Sequence, residues 1–313
     1  MNKTLPKISI IIANFNNDKF LKTCLHSIKL NTKLPHEVII EDGTELGPCF
    51  ARNKAANKAC GKYLLFLDYD TKVMTKDFLT ETIKYMEQHK NIGGGQLKLI
   101  RLGTDNFDSA GDKLTPFGFL AERAQEASDT GQFDKAVDIF SGKGAAMLVR
   151  RNLFNKLGGF DTSYFMYWEE PDLSWRIWKS GSRYTYLPFD TVLHAYRTQA
   201  KPVSRQWDIK ITFLGCRNQL ATIIKNGNGS TGIIMFISAN LAWIVLFLTF
   251  LVKLDIPKAK AIIQAYLSLI MRLPKLLTKR SYSDNSWIKH IRDNRPLKWY
   301  FGKGIAYILN KPY

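Results

Sequence analysis

The stretch Tyr63-Leu64-Leu65-Phe66-Leu67-Asp68-Tyr69-Asp70-Thr71 constrains the fold more than any other. Large apolar residues in an unbroken row, closed on both sides by polar ones, read as a strand buried on both faces. Such strands belong to parallel sheets covered by helices. Side chains alternate along a strand, so Asp68 and Asp70 point the same way at its end. In open parallel sheets the C-terminal strand ends are where ligands bind. Two carboxylates there suit a hard divalent cation, which one or two carboxylates hold together with substrate phosphates. The same spacing also serves turns and helix caps, so its meaning depends on the rest of the chain.

Upstream, Ile8 to Ala13 is a β-branched run and hence a strand. It ends at Asn14-Phe15-Asn16-Asn17-Asp18, a turn with a helix-capping residue, after which Phe20, Leu21, Leu25, Ile28 and Leu30 recur at helical spacing. Val38-Ile39-Ile40 is a second strand, ending at Glu41-Asp42-Gly43. Phe50 to Cys60 is an Ala-rich helix that Gly61 closes. The order strand–helix–strand–helix–strand predicts a parallel sheet with right-handed crossovers, whose polar strand ends share one edge.

Downstream, the pattern predicts a helix over Thr75–Gln88 with Thr75 as cap, a turn at Gly93-Gly94-Gly95 and a strand over Gln96–Ile100. Residues 105–138 read as an irregular, substrate-facing insert. Ser141-Gly142-Lys143-Gly144-Ala145-Ala146 is a small-residue loop feeding a strand through Val149. Phe165-Met166-Tyr167-Trp168 leads into Glu169-Glu170-Pro171-Asp172, where Pro171 suits the first helical position with Glu170 as cap. Asp172 and Arg176 are spaced to pair on that helix. Acids at a helix start are stabilised by the dipole, while the aromatics before them suit the wall of a partly dry pocket. Arg183–Pro188 is a strand, and His194 follows it.

These pieces together resemble the family 2 glycosyltransferases of the GT-A fold, and among them the rhamnosyltransferase-type enzymes that build bacterial surface polysaccharides. The resemblance rests on Ser9-Ile10-Ile11-Ile12-Ala13-Asn14-Phe15-Asn16, Glu41-Asp42-Gly43, Phe50-Ala51-Arg52-Asn53, Leu67-Asp68-Tyr69-Asp70, Asp108-Ser109-Ala110-Gly111, Gly144-Ala145-Ala146-Met147 and Gly158-Gly159-Phe160-Asp161. Its most specific piece is Phe165 through Arg176, with His194 beyond it. The implied fold is α/β with a mostly parallel central sheet. The implied roles are these: Ala13, Asn14, Phe15, Asp42 and Arg52 at the nucleotide, and Asp68 near the ribose and metal. Asp70 ligates the metal, which His194 can complete. Glu170 is the general base, with Glu169 as its competitor and Asp172 in the same acidic cluster. Mg²⁺ or Mn²⁺ is the implied cofactor, and a nucleotide-diphospho-sugar the donor. Two departures stand out. The link from Asp42 to Phe50 is short for the family, which suggests a missing strand–helix unit, and the family's Glu-Asp pair is Glu169-Glu170 here.

The chemistry asks for the same parts. A metal on the diphosphate stabilises the leaving group, and a carboxylate takes the acceptor proton, worth roughly 10²–10⁴-fold. One base and one metal on opposite sides of C1 predict a single in-line displacement with inversion. A sugar-1-phosphate nucleotidyltransferase, the alternative on a related sheet, would want a Gly-rich basic loop after the first strand, and Asn14-Phe15-Asn16-Asn17 is not one. The other alternative is a non-catalytic membrane scaffold.

Charge separates the partners. Of the net +18 over 313 residues, +10 lies in residues 253–313, which hold thirteen Lys/Arg against three Asp/Glu. A nucleic-acid binder would spread basic and aromatic residues over its folded domain, so the tail points to an anionic membrane surface. Thr231–Val252 carries no charge and is long enough to span a bilayer. A single span would export the basic tail, against the positive-inside rule, and Ala261–Met271 reads as too short to return. The expectation is therefore a GT-A domain over 1–226 and a membrane-associating region over 227–313. That region lies as a re-entrant or in-plane helical pair at the cytoplasmic face, with Arg272, Lys275, Lys279, Arg280, Lys289, Arg292 and Arg295 on headgroups and Trp287, Trp299, Tyr300 and Phe301 at the interface. Arg217-Asn218 and Lys225 are candidates for a lipid-linked diphosphate acceptor. Four cysteines without CxxC spacing fit a reducing compartment, and the N-terminus lacks the apolar length and cleavage site of a signal peptide.

Overall fold

The structure, a computed structural model, describes residues 6–15, 17–124, 126–195, 204–280 and 287–293. Contacts group the described residues of Met1–Lys113 and Glu122–Pro202 into one compact unit, and those of Leu114–Ala121 and Val203–Tyr313 into a second.

The first unit opens with β1 (Ile8–Asn14), α1 (Asp18–Asn31), β2 (His36–Asp42), α2 (Gly47–Lys58) and β3 (Tyr63–Asp68). β1 pairs in parallel with both β2 and β3, as expected from the sequence. The register aligns Asn14 with Asp42 and Ala13 with Asp68, so the polar strand ends do share one edge. The chain continues through β4 (Thr71–Val73), α3 (Thr80–Gln88), β5 (Ile92–Arg101), β6 (Phe107–Ser109), β7 (Asp112–Leu114), β8 (Leu120–Glu122) and β9 (Val137–Asp138). It ends through β10 (Ala146–Arg150), α4 (Arg151–Lys156), α5 (Glu169–Lys179) and β11 (Arg183–His194). The sheet order is β2-β1-β3-β10-β5-β11-β4. β10 runs antiparallel between β3 and β5, while β11 runs parallel to β5, leaving a mostly parallel sheet. Its core, including Ile8, Ile10, Tyr63, Leu65, Leu67, Leu97 and Leu148, is fully buried.

Three local expectations are corrected. Gly93-Gly94-Gly95 is not a turn but the first half of β5. A Cβ at Gly95 would come within 2.1 Å of the Thr185 carbonyl oxygen, and one at Gly93 within 2.4 Å of the Leu153 side chain. Glycine is there for close approach, not for a bend. Gly61 likewise lies against β1, 2.5 Å from Ser9 N at the Cβ position, and α2 already ends at Lys58. Finally, α3 starts at Thr80, because Asp77 and Leu79 take left-handed φ of 56° and 71°. Thr75 does not cap it; its hydroxyl accepts from Thr191 N–H at 2.7 Å. The buried Asp190 carboxylate serves the helix start instead, accepting from Leu79 N–H at 3.0 Å and from the Thr82 hydroxyl.

The second unit contains α6 (Arg205–Asn226), α7 (Gly229–Val252), α8 (Ile256–Thr278) and α9 (Ile288–Ile291). The compact units therefore divide ahead of residue 226, because α6 packs along α8. Polar side chains stitch the unit together. Trp243 Nε1 donates to Gln219 Oε1 at 2.9 Å, Gln219 Nε2 to the Gly118 carbonyl at 2.8 Å, and Tyr266 to Asn240 Oδ1 at 2.9 Å. Arg205–Asp255 and Lys258–Asp208 ion pairs tie the start of α6 to the α7–α8 turn. Ala261–Met271 is the middle of α8, whose 23 residues reach about 34 Å. Length therefore permits a return across a bilayer, contrary to the sequence expectation, and α7 and α8 are both long and apolar enough to cross. Arg217, Asn218 and Lys225 are buried within this unit, Arg217 Nε donating to Asn218 Oδ1, and do not present themselves at a surface. Arg295, Trp299, Tyr300 and Phe301 lie outside the described residues.

Candidate active site

The edge formed by β1 and β2 brings an aromatic ring and an exposed carboxylate together. Gly43 N–H donates to the Asn14 carbonyl at 2.9 Å, closing the two strand ends together. The Phe15 ring lies so close to Gly43 that a Cβ there would meet it at 2.7 Å, and Phe15 faces Tyr69 at 6.0 Å between centroids. Asp42 is exposed and accepts from Thr44 N–H and Oγ1, at 2.9 and 3.0 Å; these bonds hold its carboxyl below the usual range. Asn14 Oδ1 is buried without a hydrogen-bond partner. Asn16 falls outside the described residues.

Next along the edge, β3 delivers Asp68, the turn after it Asp70, and the end of β11 His194. The β11–β4 pairing sets His194 opposite Thr71, which fixes the imidazole beside the carboxylates. His194 Nε2 is 3.4 Å from Asp70 Oδ1 and 3.8 Å from Asp68 Oδ2. One ligand atom from each of the three residues lies within 4.8 Å of the other two. On the far side of the ring, Nδ1–H donates to Asp108 Oδ2 at 2.8 Å. Burial alone would lower the His194 pKa; the bonds to Asp108 and Asp70 and the charge of Asp68 override it and push it up to about 10. A carboxylate behind a ligating imidazole fixes its tautomer and raises its basicity, the usual outer support of a metal-bound histidine. In the sequence Asp108 stands only as part of a matching motif; its place behind the imidazole follows from the pairing of β6 with β5.

The second acidic group enters through strained backbone. Phe165, Tyr167 and Trp168 all take left-handed φ, of 67°, 66° and 70°, directly before α5. Bulky residues avoid that region, and strain of this kind gathers at functional sites. Glu169, not Pro171, begins the helix, with Trp168 as its cap. Glu169 is buried, and its Oε2 has no hydrogen-bond partner. Burial and the neighbouring Glu170 raise its pKa well above the carboxylate range, against the pull of Arg52. Glu170 is more open, with Oε1 accepting from Gly144 N–H at 2.9 Å. Glycine at 144 leaves room for both: a Cβ would sit 2.5 Å from the Arg52 guanidinium and 2.6 Å from Glu170 Oε1 and displace them.

Arg52 lies between the metal-side and glutamate-side acids. Its buried guanidinium donates from Nη2 to Asp68 Oδ1 at 2.8 Å and stands 3.5 Å from Glu169 Oε1 and 3.7 Å from Glu170 Oε1. It bridges the two acidic groups, and their charges outweigh its desolvation and hold it protonated. Asp172 is taken up by an ion pair within α5. It is fully buried, its Oδ2 accepting from Arg176 Nε and Nη2 at 3.0 and 2.8 Å. Arg176 in turn donates to the Leu157 and Gly159 carbonyls at 2.7 and 2.8 Å. The pair fastens the turn before the aromatic run to α5, which is a structural task.

Comparison with known proteins agrees with this architecture. The chain is 31% identical over 162 residues to rhamnosyltransferase WbbL of Escherichia coli (strain K12), covering 48% of this chain and 60% of that protein. It is 46% identical over 63 residues to an N-acetylglucosaminyl-diphospho-decaprenol L-rhamnosyltransferase of Mycobacterium tuberculosis, covering 20% of each. The chain thus spans less than two thirds of the length of these relatives. Among solved structures, S. aureus TarS 1-349 in complex with UDP-GlcNAc superposes with a TM-score of 0.54 at 14% identity, over 98% of this chain and 93% of that one, which establishes the GT-A fold. A family model described as glycosyltransferase like family 2 matches residues 3–237, most of the chain. By that match, and by the order of the strand ends that build the site, the chain belongs to glycosyltransferase family 2.

Proposed function

We propose that this chain transfers a sugar from a nucleotide-diphospho-sugar to a hydroxyl of a saccharide or lipid-linked saccharide, in one displacement that inverts C1. The observation that carries the reading is the pairing of two acidic groups across Arg52, with Asp68, Asp70 and His194 on one side and Glu170 on the other. The Phe15 and Tyr69 rings suit a nucleobase, and Asp42 its polar edge or the ribose. Two carboxylates and an imidazole backed by Asp108 fit Mg²⁺ or Mn²⁺, which when bound supplies neutralising charge to the leaving diphosphate. Glu170 accepts the proton of the attacking hydroxyl. It is the more open of the two glutamates, and the Gly144 N–H and Arg52 hold one of its oxygens in place. Glu169, buried and with a raised pKa, keeps Arg52 in position.

The apolar outer faces of α7 and α8 support membrane association, with Ile237, Leu241, Leu248, Ile263, Leu267 and Ile270 exposed. The lipid-linked acceptor in the name of the mycobacterial relative supports an envelope polysaccharide as product.

A donor-hydrolysis screen across UDP-, GDP- and dTDP-sugars, with Mg²⁺ or Mn²⁺, identifies the donor. With that donor, Glu170→Gln is expected to lower turnover roughly 10²–10⁴-fold while donor affinity stays within about twofold. Near-normal turnover in this variant would move the base to another group. A product that retains the donor's anomeric configuration would exclude the single displacement.

A further inference from the structure

A third polar group adjoins the Glu170 side of the site and has no part in the mechanism above. It is built on the β7–β8 hairpin and the loop before β10. Arg123 N–H donates to the Gly111 carbonyl at 2.9 Å and Thr115 N–H to the Phe119 carbonyl at 2.8 Å, so Asp112 stands directly opposite Glu122. The loop meets this hairpin from the other side. Asp112 N–H donates to the Ser141 carbonyl at 2.8 Å, and Ser141 Oγ to Asp112 Oδ2 at 3.1 Å. Lys143 Nζ reaches Glu122 Oε1 at 2.5 Å, while its own N–H donates to Gln96 Oε1 at 2.8 Å.

Two features of the group point to a ligand. Asp112 is 2% exposed, yet its Oδ1 has no hydrogen-bond partner. An acceptor buried in that way is destabilising unless something bonds to it. Second, Lys143 and Glu122 keep 37% and 27% of their side chains exposed, so the pair opens to solvent. The next residue after Lys143 is Gly144, whose N–H holds Glu170. Gln96 ties the loop to the strand segment that carries Asp108: its Oε1 accepts from Lys143 N–H, and its Nε2 donates to the Ser109 carbonyl at 3.0 Å. Through Gly144 the group adjoins the base, and through that segment the His194 side, the two sides that in a single displacement flank the sugar being transferred.

We propose that Asp112, Glu122 and Lys143 form the subsite that grips hydroxyls of the transferred sugar. An ammonium donor beside two carboxylate acceptors matches neighbouring ring hydroxyls, each of which donates one bond and accepts another. Asp112 Oδ1 accepts a hydrogen bond from one of these hydroxyls, the bond that its buried position leaves it lacking. The pattern of hydroxyls on the donor, not its nucleotide, is what this group reads. The inference rests on the donor reading above.

The test separates sugar from nucleotide. Affinities of the full chain with Mn²⁺ are measured calorimetrically for dTDP, UDP and GDP, and for dTDP-rhamnose, UDP-N-acetylglucosamine and GDP-mannose. In the unsubstituted protein at least one nucleotide-sugar binds more tightly than its nucleoside diphosphate. Glu122→Gln and Lys143→Met are expected to remove most of that difference, about tenfold or more, and to leave the nucleoside diphosphate affinity unchanged. The milder Asp112→Asn, which keeps the shape, reduces the difference severalfold and changes the order of preference among the sugars. If the variants keep the full difference and the same preference, the subsite assignment is wrong while the donor reading stands. If the unsubstituted protein binds none of the six, the donor reading falls, and this inference with it.

Discussion

Arg52 shows why single residues in this site act in groups. Its guanidinium touches one carboxylate of the Asp68–Asp70–His194 group and stands by both glutamates of α5, so the two halves of the site share one cation. Nothing in the spacing of Arg52, Asp68 and Glu170 along the chain reveals this; only the fold brings residues so far apart in sequence together. His194 carries a pH dependence that follows from its partners. Its pKa is raised from 6.5 to about 10, so the stability contributed by its charged form is complete below about pH 6.5 and is lost as pH rises through about 10. A metal must displace that proton. Mn²⁺ affinity is therefore expected to rise about tenfold per pH unit from neutral to mildly alkaline pH, with about one proton released per ion. Calorimetry in buffers of different ionisation enthalpy measures that release, and a pH-independent affinity would remove His194 from the ligand set. Asp108→Asn weakens the support of the ring and should cost roughly 10–100-fold in metal affinity, read in the same titration.

At the scale of elements, the strand ends were readable because their pattern is local. β3 announces itself by an unbroken apolar run, and its exit by Asp68 and Asp70. The glycines of β5 were not, because a Gly-Gly-Gly run has the local signature of a turn, whereas its cause is tertiary. The Thr185 carbonyl and the Leu153 side chain fill the space that side chains would take. Gly95→Ala is accordingly expected to destabilise the fold by on the order of 3 kcal/mol. A urea unfolding midpoint unchanged from the unsubstituted protein would contradict it. The start of α3 escaped sequence reading for a similar reason: Asp190, which caps it, is more than a hundred residues away. The Phe165–Trp168 run could be read as aromatic but not as left-handed, since no glycine or asparagine marks those positions.

For the whole molecule, the proposed membrane association rests on the helices of the second unit. Ile237, Leu241 and Leu248 form one exposed stripe on α7, which has no charged residue to keep it in water. The full chain is expected to sediment with membranes, to resist extraction by high salt and to be released by detergent. Ile237→Asp with Leu241→Asp should shift it measurably toward the soluble fraction, without loss of nucleotide affinity. Release by salt alone would reduce the attachment to the basic residues. The sheet order also carries a consequence for biosynthesis. β5 leaves the ribosome with neither of its long partners available, since β10 and β11 are still to be made. The first three strands can close while the chain is being translated, but the middle of the sheet stays open until β10 arrives between β3 and β5. Over that interval the buried face of β5 is exposed, so the half-made chain is at its most vulnerable to aggregation and proteolysis, and a pause in translation there would prolong the risk.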